Sequence, residues 1–312
     1  MTGPGDTSGG QGMKRALVIG RQRPGHDVGS VVSEVASLLK KAGVEVEHIV
    51  VTRKKEVRRR ASQAVRDGVD VVVAVGGDGT VLQVANSLSG TDVPLAIVPT
   101  GTGNLLASNL DIPHPPAEAV TTVLTGDRRR IDVGRIQIDG KRRVFTVACG
   151  IGFDADVMGR TSSEQKGRWG KLAYVASAVL ESGNIRNAEH RLKLDGVAST
   201  RPASQVLIAN LGRVGPGLEP PGVRADDGLL DVFVIRASGP LPALLAGWEA
   251  LRHAEMGESD GGRVFRAQAR KVSIHTRGRR NVEIDGSVIG TTPVKASIAA
   301  SALTVLVPKP QA

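Results

Sequence analysis

Five β-forming residues, Val71 to Val75, run directly into Gly76-Gly77-Asp78-Gly79-Thr80. A second glycine group, Gly101-Thr102-Gly103-Asn104, follows another apolar stretch, Leu95 to Val98 and then Pro99. Glycines at the carboxyl end of a strand let backbone N–H groups crowd an anion, and the missing Cβ lets that anion come close. Asp78 cannot itself hold a phosphate, because like charges repel. The jobs open to it are to hold a metal ion or to accept a proton beside the phosphate. Two glycine loops with one carboxylate between them point to phosphoryl transfer, a chemistry that rests mainly on positioning and electrostatics. No Lys follows the glycines where a Walker loop requires it, and no Gly-x-Gly-x-x-Gly follows the first strand.

These loops need a frame. From Lys14 to about Arg130 the pattern alternates strand and helix. Strands are predicted over Arg15–Gly20, Val44–Val51 and Val69–Val75, with helices over Val28–Ala42 (stopped by Gly43), Glu56–Asp67 (stopped by Gly68) and Thr80–Leu88. The last helix starts on the first glycine loop, where unpaired N–H groups and the helix dipole favour an anion. Such alternation predicts a doubly wound parallel sheet with ligands at the carboxyl ends of its strands.

From about Ile131 the texture changes to short alternating stretches: 132–138, 143–149, 190–194, 204–210, 229–235, 271–276 and 281–285. Turn signals such as Asp139-Gly140, Asp195-Gly196 and Asp285-Gly286 separate many of them, which is the grammar of antiparallel sheets. Helical interruptions are expected over Gly170–Glu181 and Leu241–Met256. The expected organisation is an α/β fold: a disordered tail (1–13), a nucleotide-binding α/β domain (14–131), and an antiparallel β-sandwich-like substrate or lid domain (132–301). A final strand (302–312) is free to return to the first domain.

The chain has 312 residues, 40% hydrophobic and 23% charged, the composition of an ordinary soluble globular protein. No apolar run approaches the roughly 18–20 residues that span a bilayer, and the start lacks a signal-peptide core. A lone cysteine, Cys149, excludes an internal disulfide and fits a reducing cytoplasm. The formal charge of +10 predicts attraction to polyanions. Basic clusters at 53–55, 58–60, 128–130 and 277–280 read individually as solvated helix faces or loops. With two Trp, one Tyr and four Phe, base-stacking platforms for nucleic acid are not expected. An anionic membrane surface needs only Lys and Arg, and fits better.

Together, Gly76-Gly77-Asp78-Gly79-Thr80 and Pro99-Thr100-Gly101-Thr102-Gly103-Asn104 resemble the catalytic domain of the diacylglycerol kinase and lipid kinase family, to which sphingosine kinases are related. Three later segments match in order: Gly150 to Ala155, Lys166 through Gly170 to Tyr174, and Ala225 to Asp231. The resemblance implies a two-domain, ATP-dependent lipid kinase, cytoplasmic and peripherally membrane-associated, with a diacylglycerol-like lipid as partner and a homodimer left open. It implies nucleotide contacts at Thr52, Gly76, Gly77, Asp78, Gly79, Thr80, Val81, Leu82 and Thr102. Thr80 is expected to cap the following helix, and Asn104 to position either the second loop or the acceptor hydroxyl. It also implies a structural Mg²⁺ at Asp227 and the Leu229 carbonyl, with Asp226 nearby, although Arg224 stands near a further ligand position. Trp169, Leu172, Tyr174 and Val175, near Lys166, Arg168 and Lys171, read either as a helix packed on the β-domain core or as a membrane-facing lip.

Two departures bear on activity. Where the family has an acid after Asp-Gly, this chain has Asp285-Gly286-Ser287. That acid is the family's proposed general base, and loss of a general base costs about 10²–10⁴-fold in rate. Catalytic candidates are therefore Asp78, Asp285 and the Ser287 position. The first loop, Gly20 to Gly25 with Arg21 and Arg23, replaces the family's Asn-Pro and Ser-Gly turn. Alternatives are a catalytically impaired nucleotide- and lipid-binding relative, or a kinase of a soluble acceptor resembling NAD kinase. Asn104 followed by Leu105 speaks against the latter, whose second motif pairs Asn with Glu.

Overall fold

The computed structural model describes residues 13–152, 187–215, 219–236, 251, 253–259 and 263–310. Its first half runs β1 (Arg15–Arg21), α1 (Val28–Lys41), β2 (Glu45–Val51), α2 (Lys54–Arg66), β3 (Val71–Gly76), α3 (Asp78–Leu88), β4 (Leu95–Pro99), α4 (Leu105–Asn109) and α5 (Pro116–Thr125). The strands pair in parallel in the order β2-β1-β3-β4. Alternation along each strand splits the core into two layers. Val18, Val73 and Val98 face Val32, Val35 and Leu39 of α1 with Val120 and Val123 of α5. Leu17, Ile19, Val72 and Ala74 face the other way, toward Val57 and Ala61 of α2 and Val84 and Leu88 of α3. Every residue of β3 is buried, as expected of a strand covered on both faces. In the order 2-1-3-4 the chain reverses direction between β1 and β3, so a crevice opens beyond their carboxyl ends.

The helix ends follow local chemistry. Asp27 caps α1 by accepting the Ser30 N–H at 3.0 Å. Gly43 and Gly68, both at positive φ, follow the ends of α1 and α2. The N-terminus of α2 breaks the usual pattern. Arg53, Lys54 and Lys55 crowd it, although the helix dipole disfavours cations there.

The second half is antiparallel. It contains β5 (Asp127–Ile138), β6 (Lys141–Phe145), β7 (Ala148–Ile151), β8 (Ala188–Leu194), β9 (Val197–Ala203), β10 (Gln205–Ala209), β11 (Leu230–Ile235), β12 (Gly257–Ser259), β13 (Val264–Ala269), β14 (Lys271–Thr276), β15 (Asn281–Ile284), β16 (Ser287–Thr291) and β17 (Val294–Val307). One sheet follows the order β12-β13-β11-β10-β7-β15-β16. The other extends the parallel sheet through β17 to β14, β8 and β9. Strand β17 joins the halves. One edge pairs with β5 from Lys295 to Val307, while the other meets β14 first and then β4, at Val305–Leu95. Deep in the β domain, Arg266 Nη2 meets Asp231 Oδ1 at 2.7 Å and Arg266 Nη1 donates to Pro221 and Ala254 carbonyls. Burial pushes the Asp231 carboxyl up, and the Arg266 guanidinium pulls it back in part.

Several elements differ from expectation. Helix α5 and strands β9, β12, β13 and β16 carry too little alternation to stand out in the sequence. The stretch expected as one strand over 143–149 divides into β6 and β7, because residues 146–148 turn inward to bind a carboxylate described below. Arg128, Arg129 and Arg130 lie exposed on β5, not on a helix or loop. The helix expected over Gly170–Glu181 and most of that over Leu241–Met256 lie outside the described residues. So do the expected membrane-facing lip and tail residues 1–12.

Candidate active site

The two glycine loops leave adjacent strands, β3 and β4, and pack against each other. A Cβ on Gly77 would stand 2.9 Å from the Gly101 Cα, and one on Gly101 would stand 2.5 Å from the Gly77 Cα. Only glycine permits this approach, so the two motifs form one backbone surface. Asn104 closes the second loop from within. Its Oδ1 accepts the Gly101 N–H at 3.0 Å and its Nδ2 donates to the Gly101 carbonyl at 2.7 Å. Asn104 is buried in the left-handed conformation, with φ of 45°, which suits asparagine better than most residues. Of its two expected roles, the geometry favours positioning the loop.

Asp78 begins α3, with Gly77 at the N-cap. Its Oδ1 accepts the Leu105 N–H at 2.6 Å, at the start of α4. The carboxylate therefore ties the helix on one loop to the helix on the other. Thr80 does not cap α3. Its side chain is buried against Gly76, and its N–H donates to the Gly77 carbonyl at 2.9 Å. The side chains of Val81 and Leu82 are buried in the core beneath α3. Thr52 and Thr102 are exposed, Thr52 just after β2 and Thr102 in the second loop.

Across from the first loop stands Ser287, at the start of β16. Its Oγ accepts from Lys54 Nζ at 3.3 Å. The same lysine lies over Gly79, its Nζ 3.8 Å from where a Cβ there would be. Lys54 thus bridges α2, the glycine loop and the β15–β16 hairpin. Sequence reading missed it, although three basic residues at a helix N-terminus were the signal for it.

Asp285 does not belong to the reactive set. Its Oδ2 accepts the Thr146 N–H and hydroxyl, both at 2.8 Å, and its Oδ1 accepts the Val147 and Ala148 N–H groups at 2.9 and 3.0 Å. Burial raises its pKa, and these hydrogen bonds pull it partly back. With both oxygens so engaged, it is a structural carboxylate fixing the hairpin that carries Ser287.

The residues expected to hold Mg²⁺ lie in one loop, 226–229, ahead of β11. Asp226 sits between Arg129, at 3.2 Å, and Arg224, at 3.5 Å. Asp227 Oδ1 accepts the Leu229 N–H at 3.0 Å. The neighbouring acid Asp132, which sequence reading missed, is buried and accepts the Gly228 and Ser301 N–H groups at 2.7 and 2.6 Å. Among the described residues no cluster of three His, Cys, Asp or Glu side chains is placed to hold a metal. Guanidinium groups engage Asp226, and one oxygen of Asp227 accepts a backbone N–H.

A doubly wound sheet carrying facing glycine loops, joined to an antiparallel domain, is the frame of a phosphotransferase. Residues 15–136 match the diacylglycerol kinase catalytic domain, and residues 146–307 match the YegS C-terminal NAD kinase beta sandwich-like domain. A diacylglycerol kinase of Mycobacterium tuberculosis is 32% identical over 285 residues, 87% of each chain. One from Bacillus subtilis is 26% identical over 287 residues, covering 90% of this chain and 92% of that one. A crystal structure of a diacylglycerol kinase from Bacillus anthracis aligns over 97% of this chain and 99% of its own, with a TM-score of 0.72 at 22% identity. A second chain from the same organism reaches 0.80 at 23%, over 98% and 99%. The protein belongs to the diacylglycerol kinase family.

Proposed function

We propose that the protein transfers a phosphoryl group from ATP to the hydroxyl of diacylglycerol or a similar lipid, giving a phosphatidic-acid-like product. The observation carrying this reading is the single surface made by Gly76–Gly79 and Gly101–Asn104, with Asp78 locked between. Backbone N–H groups at the start of α3 suit the donor's phosphates, and the Lys54 ammonium offsets charge that builds on the transferring group. Asp78 holds the two loops in register and is the acid best placed to receive the acceptor proton. A cytoplasmic protein working at an anionic membrane surface agrees with exposed Arg128–Arg130 and with the lack of any bilayer-spanning helix among the described residues.

Incubation with labelled ATP and mixed micelles of candidate lipids tests this reading. Labelled phosphate is expected on a glycerolipid hydroxyl, and its absence with every lipid from folded protein that binds ATP would refute it. Asp78→Asn is expected to abolish transfer, and full activity in that variant would remove Asp78 from the mechanism.

One observation favours a second reading, a catalytically impaired relative. Ser287 contacts Lys54, and Asp285 is fully engaged elsewhere, so neither supplies a base from the hairpin. Ser287→Glu separates the readings. A large gain in transfer shows that the native protein is impaired there, whereas an unchanged rate puts the base elsewhere.

A further inference from the structure

The crevice between β1 and β3 holds a cavity of about 170 Å³. Its floor is Gly76 and Gly77, with Thr80 and Thr100 beside them, and Arg21 and Arg23 line the β1 side. Arg21 ends β1, and its Nε is buried without a hydrogen-bond partner. Among the described residues neither arginine takes part in an ion pair. Burial, and after it the neighbouring Arg23 charge, lowers the Arg21 pKa. His26 and Asp27 complete the wall. Asp27 is turned to α1, where it accepts the Ser30 N–H and hydroxyl. A half-buried guanidinium with an orphan donor, a second guanidinium beside it and a glycine floor together suit a multiply charged anion.

We propose that Arg21 and Arg23 clamp the polyphosphate tail of the phosphoryl donor from the β1 side as it lies over Gly76 and Gly77. The inference rests on the reading of the protein as an ATP-dependent kinase, but the chemistry it names is that of a polyphosphate. It assigns a role to the first loop, the segment that departs from the family resemblance. It also separates two tasks: the glycine loops supply backbone donors, and the first loop supplies charge.

Calorimetric titration of the full chain with inorganic tripolyphosphate, ATP and AMP tests the clamp, using the native protein, Arg21→Gln, Arg23→Gln and the double variant. Tripolyphosphate is expected to bind the native protein and to compete with ATP. Each single variant is expected to weaken both about tenfold, with AMP affinity unchanged. Arg21→Lys keeps the charge without the planar fork and should recover only part of the loss. Arg23 is exposed, so Arg23→Gln is expected to keep the native melting temperature and to report binding alone. Unchanged tripolyphosphate affinity in the double variant overturns the clamp. If that variant still phosphorylates lipid at the native KM for ATP, the clamp falls and the kinase reading stands. Arginine-dependent tripolyphosphate binding by a native protein that phosphorylates no lipid leaves the clamp standing and removes the kinase reading.

Discussion

The two sides of the cleft use their acids in opposite ways. On the parallel-sheet side the chemistry belongs to the backbone: glycines Gly77 and Gly101 touch, and one carboxylate, Asp78, holds the loops together. On the antiparallel side four of the acids close to the expected site are engaged by backbone or arginine donors. Asp285 binds residues 146–148, Asp132 binds Gly228 and Ser301, Asp227 binds Leu229, and Asp226 meets two arginines. The parallel side is a binding surface built on backbone, with few side chains added to it. The antiparallel side is a scaffold in which these acids brace turns, and Ser287 meets the lysine of α2 beside the loops. An acid near a site is a candidate for chemistry only after its hydrogen bonds have been traced.

That contrast can be broken most severely at Asp285. Asp285→Ala strips several buried donors of their acceptor and is expected to cost about 3–5 kcal/mol, measured by urea unfolding. A loss of activity without loss of stability would return Asp285 to the reactive set. Gly101→Ala drives a methyl into the Gly77 Cα and is expected to lower transfer about 100-fold, through misplacement of the loops. Its unfolding midpoint should fall less than that of Asp285→Ala. Lys54→Ala tests the bridge between the sides and is expected to lower kcat about tenfold, the lower range for one charged contact to a transferring group.

The smallest effect concerns pH and lies away from the cleft. Burial lowers the pKa of His190 below 6.5, and its Nδ1 meets the Ala188 carbonyl at 2.9 Å. Its contribution to stability is full above the unfolded value of 6.5 and is lost as pH falls through the lowered folded value. Asp285 has the opposite sign. Its raised carboxyl contributes fully below the ordinary value of 3.8, and that contribution declines as pH rises through the raised one. His190→Gln should therefore flatten the acid limb below pH 6.5 in a thermal-melt series, and an unaltered limb would exclude His190 as its cause.

The parallel half was legible in the sequence because its signals are local. Strand β3, its glycine loop and α3 are contiguous, and Gly43 and Gly68 mark helix ends within a residue or two of the pattern. The antiparallel half was legible as a texture but not as a site. Thr146 meets Asp285 across 139 positions, and Lys54 meets Ser287 across 233. No spacing rule carries such pairs, since the fold alone brings them together. Thr80 erred for a different reason. A hydroxyl near a helix start reads as a cap, but Gly77 had already taken the N-cap position and left Thr80 facing inward.

Strand β17 has a consequence for how the chain is made. The partner that meets β4 at Leu95 is Val305, and the partner of Asp127 on β5 is Val307. During synthesis the first sheet therefore emerges with β4 as an open, apolar edge and waits for nearly the entire remaining chain before that edge is sealed. Unpaired strand edges attract other chains. A polypeptide that stalls on the ribosome before Val294 would present that edge to chaperones, whereas in the folded protein β17 meets it at Val305–Leu95.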